Sequence, residues 1–322
     1  MENNKILIIG GSGSLGHKLV DRYLKDNTIY IYSRDESKQW KMSIDYVKHP
    51  NLKFIIGDIR DYEKVQQTLL RVQPDIIIMA AALKHIDKCE YETNECIGTN
   101  ILGTKNVLNV VETFQNMLNV KTVCFVSTDK ACSPVNIYGM SKAVSECLMI
   151  EKAKEIPNIK FITVRYGNVL NSRGSIIPTL HQIGQKNEYS SYTITDRHMT
   201  RFVMTLDQSV DLIEHAIIKA ESGDIVIPKL ISCRIIDLIE IFSEKYNKPI
   251  IDGQLRPGEK MLESLINETQ SMRLEFSENG YIYIKPPYKN IMMTSDIKDY
   301  NSKLNPLNKE KLKQYLNELK LI

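Results

Sequence analysis

The sequence has no C-x-x-C pair. Its six cysteines, Cys89, Cys96, Cys124, Cys132, Cys147 and Cys233, are scattered, and no histidine cluster stands beside them. This excludes a disulfide framework or a zinc site as the default, and reduced core cysteines are expected. His17, His49, His85, His181, His198 and His215 lack metal-ligand spacing, so no metal is expected. The opening MENNKILIIGGSGSLG has no apolar stretch of signal-peptide length, and no later run approaches a membrane span. A soluble, cytoplasmic protein without a membrane partner is the expectation. The net charge is only +3, with no basic tail and no run of like charge, so nucleic acid is not an expected partner. Repeats and low-complexity segments are also missing.

What is present is the composition of an ordinary soluble globular chain. Its 322 residues are 43% hydrophobic and 25% charged, enough for a sizeable core. KILIIG (5–10), TIYIY (28–32), LKFIIG (52–57), DIIIMAA (75–81), TVCFVS (122–127) and KFITVRY (160–166) read as strands apolar on both faces. Helical patterns alternate with them at 15–25, 62–72, 93–114 and 138–154. This predicts an α/β fold: a Rossmann-type, doubly wound parallel sheet. After Asn168 the elements shorten, with helices expected near 177–185, 206–220, 235–246 and 309–319. A smaller, mixed C-terminal substrate lobe is expected over 169–322, beside a nucleotide-binding domain over 1–168 to which some later segments return.

Gly10, Gly13 and Gly16 fall in the loop Gly10-Gly11-Ser12-Gly13-Ser14-Leu15-Gly16, after the first strand and at the start of a helix. Such glycines permit a tight turn, close approach of backbone to a pyrophosphate, and close helix–strand packing. A helix N-terminus offers free N–H groups to phosphate. A dinucleotide is therefore the expected cofactor. After the second strand come Ser33, Arg34, Asp35 and Lys38. Ser33, Arg34 and Lys38 suit the 2′-phosphate of NADP, while Asp35 keeps NAD as the minority reading. Asp58 and Ile59, after the third strand, suit an adenine-facing turn.

Tyr138 and Lys142 stand four apart at the start of a helix and share a face. A nearby ammonium and a cationic nicotinamide both favour a phenolate, which can take a hydroxyl proton while hydride leaves the same carbon. A surface pair on an amphipathic helix is the bland alternative. Asp129 and Lys130 lie just upstream, at the end of the fifth strand, where a plain Asp–Lys ion pair is the simple reading. Neighbours on a strand point to opposite faces, so both can reach one substrate only across a turn.

The chain resembles the extended short-chain dehydrogenase/reductase family over nearly its whole length. Within it, the closest likeness is to UDP-N-acetylglucosamine 4,6-dehydratases that invert carbon 5, of the pseudaminic-acid-pathway type. YSRDESK, GDIRD, AAALKH, CEYETNECIGTNILGT, STDKA, PVNIYGMSKA, VRYGNVLNSRGSIIP, ITDRHMTRF and LRPGEK carry the likeness. Related enzymes making N-acetylated L-sugars often have methionine in place of the tyrosine that this chain keeps at 138.

The resemblance implies a lyase. Tyr138 would take the 4-hydroxyl proton as hydride passes to NADP+. Asp129 and Lys130 would serve as acid and base for loss of water across carbons 5 and 6, with Thr128 in the same segment. Hydride would then return to carbon 6. As a base, Lys130 would have to be neutral, against a reference near 10.4. The likeness also assigns Ser12, Ser14, Leu15, Ala80, Lys84, Thr99 and Val169 to the cofactor. It assigns Lys84, Asn168, Arg173, Gly174, Ser175, Thr195 and Arg256 to the UDP-sugar, Arg256 as diphosphate partner. A homo-oligomer is implied, dimer-based through the 93–114 and 138–154 helices or hexameric. The competing functions are a nucleotide-sugar 4-epimerase, which needs Tyr138 and Lys142 but not Asp129–Lys130, and a catalytically silent NADP-binding regulator.

Overall fold

The computed structural model of the chain describes residues 1–47, 49–289 and 297–322. β1 (Lys5–Ile9) leads into α1 (Ser14–Tyr23), β2 (Thr28–Ser33), α2 (Glu36–Asp45), β3 (Leu52–Ile56), α3 (Tyr62–Val72) and β4 (Ile76–Met79). Two short helices, α4 (Ile86–Tyr91) and α5 (Thr93–Cys96), pass through a π-helical segment, Ile97–Leu102, into α6 (Gly103–Thr113). Then come β5 (Thr122–Val126), a 3₁₀ turn at Asp129–Ala131, α7 (Ile137–Glu155) and β6 (Lys160–Val164). The second half continues with β7 (Asn168–Val169), α8 (Ile176–Gln185), β8 (Tyr192–Ile194), β9 (Thr200–Met204) and α9 (Leu206–Lys219). It goes on through β10 (Ile225–Ile227), β11 (Ile231–Arg234), α10 (Ile235–Tyr246), β12 (Ile250–Asp252), β13 (Ser264–Ile266) and α11 (Glu268–Ser271). The last elements are β14 (Leu274–Phe276), β15 (Ile282–Ile284), β16 (Tyr300–Asn301) and α12 (Lys309–Glu318).

The large sheet has nine strands in the order β14-β15-β10-β6-β5-β4-β1-β2-β3. All its pairings are parallel except those of β15 with β10 and β14. This is the α/β Rossmann-type fold that the alternation of apolar runs predicted. Strands β10, β14 and β15 come from beyond residue 168, so the second half of the chain completes the sheet of the first. The remaining strands form small sheets, among them β11-β9-β7.

Side-chain alternation divides the core. Ile6 and Ile8 pack with residues of α1 and α9 on one face. Leu7 and Ile9 pack with residues of α3, α6 and α7 on the other. Every residue of β4 is buried, as a strand covered on both sides must be. Each such side chain contributes about 1.5–3 kcal/mol of burial. A separate core around Tyr192 and Phe242 holds α8, α10 and α12 together.

Two local features depart from the sequence reading. The stretch 93–114 is not one α-helix, because the Ile97–Leu102 turns widen to π geometry. The wider turns expose polar groups to new partners, a common device at functional sites. Here Asn100 uses it to bind the Leu83 backbone and Ser141 Oγ. Helix α2 was not predicted. Asp35 starts it by accepting from Lys38 N, and its mixed polar sequence shows little apolar period.

Strand order reverses at β1, which lies between β2 and β4. Loops after β1 and β4 therefore diverge and open a crevice at the carboxyl ends of the strands. Just past β6, Arg165 is fully buried. Its guanidinium donates to both carboxylate oxygens of Glu146, to Leu265 O and to Gln270 Oε1. Glu146→Ala leaves that charge without its counter-ion. It should cost about 3–5 kcal/mol in urea-unfolding stability, and a loss below 1 kcal/mol would contradict this account.

Candidate active site

The crevice is a single cleft of about 1280 Å³ running from the glycine loop to the second-half loops. Gly10 adopts φ +85°, and a Cβ there would lie 2.5 Å from Ala81 N. Only glycine suits that point. Gly13 stands at the N-cap of α1, and no side chain caps the helix. Ser12, Gly13, Ser14 and Leu15 line the cleft. Gly16 does not: it is buried behind the loop, where a Cβ would meet Gly11 O at 1.8 Å. Its part is packing rather than contact.

The other residues expected at a cofactor, Ala80, Lys84, Thr99 and Val169 among them, line the same cleft. Thr99 Oγ1 is buried there without a hydrogen-bond partner among the described residues. At the far end, Asp35 caps α2 and pairs with Lys38. That pairing pulls the Asp35 carboxyl below its usual range. Ser33 Oγ accepts from Gln39 Nε2 at 2.9 Å and keeps its own proton to donate. Arg34 stands 3.6 Å from Asp58. Asp58 also binds Arg60, and Ile59 beside it is buried. These residues fit a dinucleotide: a glycine cradle, an uncapped helix start, an orphaned hydroxyl and basic groups at the rim.

The turn that the sequence required after β5 is present. Thr128 Oγ1 accepts from Lys130 N at 3.4 Å and starts the 3₁₀ turn. It separates two neighbours that would otherwise oppose each other. Lys130 lines the cleft, whereas Asp129 is 0% exposed and does not. Asp129 Oδ1 accepts from Lys130 Nζ at 2.9 Å and from Thr128 Oγ1 at 3.0 Å. Lys130 Nζ also donates to Asn168 Oδ1 at 3.0 Å. Asp129 therefore works behind Lys130, not beside it.

Charge in the site departs from the expectation for Lys130. Burial lowers its pKa, but Asp129 and Glu263 raise it, and the net shift is upward. Lys130 rests as an ammonium, not as the neutral amine that a base requires. Tyr138 is pushed up to about 12 by burial, with Lys130 the cation that pulls against it. Lys142 has another setting. Its Nζ donates to Val126 O at 2.7 Å and lies 4.2 Å from the Phe125 ring centre. Burial brings its pKa down to about 8, against the pull of Glu146.

The second-half loops close the cleft. Arg173 N donates to Ser14 Oγ at 3.0 Å, and Lys84 Nζ donates to Arg173 O at 2.8 Å. Gly174 takes φ +72° beside the His85 ring. Ser175 Oγ is buried without a partner among the described residues. Thr195 lines the wall and donates to Met199 Sδ. Arg256 lines the rim but is paired with Glu259 at 2.6 Å, so a phosphate would have to displace that carboxylate. Sequence reasoning missed Glu263 and Arg201. Arg201 lies within the ITDRHMTRF segment and lines the cleft, while Glu263 had no signal beyond its place just after LRPGEK. Among the described residues, no group of three or more His, Cys, Asp or Glu could hold a metal, and no helix could cross a membrane.

The family described as polysaccharide biosynthesis protein matches residues 6–285. The inverting UDP-N-acetylglucosamine 4,6-dehydratase of Campylobacter jejuni (serotype O:2) is 38% identical over 92% of this chain and 87% of its own. The UDP-glucose 4-epimerase of Rickettsia bellii (strain OSU 85-389) is also 38% identical, over 97% of this chain and 94% of its own. The X-ray structure of Pen from Bacillus thuringiensis superposes with a TM-score of 0.91 at 32% identity, covering 100% of this chain and 99% of that one. The fold and these relatives define an enzyme of the extended short-chain dehydrogenase/reductase class. The chain belongs to the polysaccharide biosynthesis protein family.

The buried Lys142 yields a prediction about stability. Its native pKa lies below the unfolded value, so the charged form is penalised in the fold. Lys142→Met should therefore stabilise the protein by about 1–2 kcal/mol at pH 7, after allowing for the lost bond to Val126. The gain should fade as pH rises from about 8 towards the unfolded value of about 10.4, where native and unfolded amines are both neutral. Urea midpoints at pH 7 and pH 10 test this, and a gain that grows with pH would refute it.

Proposed function

We propose that this chain is a UDP-N-acetylglucosamine 4,6-dehydratase that inverts carbon 5, working with bound NADP. Its product would be UDP-2-acetamido-2,6-dideoxy-L-arabino-hexos-4-ulose. The observation that carries this reading is Lys130, backed by Asp129, in the same cleft as Tyr138 and Lys142. A proton-transfer pair beside the redox site serves an elimination. Epimerisation at carbon 4 gives it nothing to do.

When bound, NADP would supply a reversible hydride acceptor. The chain's own residues do the rest. Tyr138 takes the 4-hydroxyl proton, helped by the Lys130 charge that lowers its pKa. Loss of hydride makes carbon 4 a ketone and acidifies the hydrogen on carbon 5. Lys130, which lines the same cleft, removes that proton once neutral and passes a proton to the departing 6-hydroxyl. Asp129 holds Lys130 in place from behind. Lys84, Asn168, Arg173, Gly174, Ser175 and Thr195 surround the UDP-sugar, and Arg256 exchanges Glu259 for the diphosphate. In this reading residues 1–168 mainly hold the cofactor and 169–322 mainly hold the sugar nucleotide. Exposed Met140 and Val144 on α7, each 44% accessible, support assembly of a homo-oligomer through that helix, as a dimer or a hexamer built from dimers, and a cytoplasmic location belongs to the same reading.

NADP is favoured over NAD because Asp35 is committed to α2 and Lys38, leaving Ser33 and Arg34 to meet a 2′-phosphate. Loss of a charge-assisted bond costs about 1.5–3 kcal/mol. Arg34→Ala should thus weaken NADP binding by roughly 10- to 100-fold and change NAD binding little. Titration calorimetry with both nucleotides checks this, and equal losses would count against it.

A 4-epimerase is the second reading, favoured by the Rickettsia relatives bearing that name. Incubation with UDP-N-acetylglucosamine in deuterated water separates the two. Dehydration gives a 6-deoxy-4-keto sugar with deuterium at carbon 5, whereas epimerisation gives only the galacto isomer. Tyr138→Phe should slow dehydration by roughly 10²–10⁴-fold, and undiminished turnover would sink the mechanism.

A further inference from the structure

Glu263 immediately precedes β13 and is 1% exposed. Its Oε2 accepts no hydrogen bond among the described residues. A sealed carboxylate oxygen without a donor is costly and uncommon, and function is one reason to keep it. Oε1 stands 3.6 Å from Lys130 Nζ, and Oε2 stands 3.7 Å from Lys260 Nζ. The Lys130 ammonium has three protons. Asp129 Oδ1 and Asn168 Oδ1 take two of the directions. Glu263 Oε1 lies within ion-pair distance of Nζ but beyond hydrogen-bond length.

Resting on the dehydratase reading, we propose that Glu263 is a positioning residue that sets the charge of Lys130 by exchanging a proton with it. A proton leaves Nζ, the nitrogen keeps the electron pair, and an O–H bond forms on Glu263. The pair's total charge does not change. A small rotation of either long side chain brings 3.6 Å to hydrogen-bond length. Once neutral, Glu263 no longer favours the ammonium, and the amine is free to take the carbon-5 proton. Reversal of the exchange resets the pair after turnover.

The charged and titratable groups around the pair allow this. Asp129 faces it from the 3₁₀ turn, Arg201 from β9, Lys260 from the loop before β13, and Tyr138 from α7. Burial favours the acid form of Glu263 and Asp129 adds to it, while Lys130, Arg201 and Lys260 oppose. The net direction is upward. Lys130 is shifted upward as well. The upward shift of Glu263 favours the exchange, and that of Lys130 keeps the resting proton on nitrogen.

The test is the pH dependence of kcat for 6-deoxy-4-keto product in the wild type, Glu263→Gln and Glu263→Asp, at saturating UDP-N-acetylglucosamine. With one proton held by the pair, exchange needs no loss of a proton to solvent, so the wild-type limb that rises with pH reports ionisation of the doubly protonated pair. In Glu263→Gln the acceptor is gone and Lys130 must lose its proton to solvent, so this limb should move about one pH unit or more to higher pH. Glu263→Asp keeps the charge on a shorter stem, and its limb should lie between. A lower kcat with an unmoved limb in Glu263→Gln would assign Glu263 a purely structural part and overturn the proposal. If that variant does not fold, an unmoved limb in Glu263→Asp does the same. Wild-type enzyme that makes only the galacto isomer overturns the dehydratase reading and this proposal together. Wild-type dehydration with unmoved limbs overturns only the role of Glu263.

Discussion

Arg165 carries a guanidinium that water cannot reach, and such a group must find fixed acceptors or destabilise the fold. It finds them in α7 through Glu146, in α11 through Gln270 Oε1, and at Leu265 O in β13. Glu146 in turn accepts from Ser127 Oγ, the residue that opens the Thr128–Lys130 turn. One ion pair thus ties the end of β6 to the helix bearing Tyr138 and Lys142, to the turn bearing Lys130, and to the strand beside Glu263. These elements are far apart in sequence, and their register in the cleft depends on a clamp behind it. Rigid support of that kind is what a proton-transfer site requires, because small displacements cost large factors in rate.

The two site lysines show how environment separates like residues. Lys142 is buried against Phe125 and a backbone carbonyl, and desolvation dominates. Lys130 is also buried, but Asp129 and Glu263 outweigh the desolvation. One lysine loses its proton readily and the other holds it. Sequence spacing suggested that Lys142 activates Tyr138, because i and i+4 share a helix face. In this geometry Lys130 is the cation acting on the phenol, but burial outweighs it and Tyr138 stays high. A cofactor carrying positive charge would add to the pull of Lys130.

The parallel sheet was legible because strands buried on both faces must be apolar at consecutive positions, as Ile76, Ile77, Ile78 and Met79 are. The glycine loop was legible because few residue types tolerate the backbone of Gly10. Tyr138, Lys142 and Lys130 were legible because they lie close along the chain, at a strand end and a helix start. The π turns at Ile97–Leu102 were not, since their cause is tertiary: Asn100 reaching Leu83 and Ser141. Glu263 was not legible either. It meets Lys130 across more than a hundred residues of chain, and nothing local marks a short strand as the backing of a site. The seclusion of Asp129 also escaped the sequence, because a turn can face either of two neighbours towards the cleft.

The way the cleft closes bears on how such a site turns over. Arg173 N reaches Ser14 Oγ on the phosphate loop, and Lys84 reaches Arg173 O from the loop after β4. The segment carrying Arg173, Gly174 and Ser175 therefore fastens the second-half wall directly onto the dinucleotide cradle. Asn168, at the start of the same stretch, holds Lys130. Movement of this segment would disturb the glycine loop and Lys130 together. Under the proposed mechanism hydride leaves and returns within one turnover, and that coupling would be useful. Opening that frees the cofactor would also release Asn168 from Lys130, so it would interrupt the chemistry instead of misdirecting it.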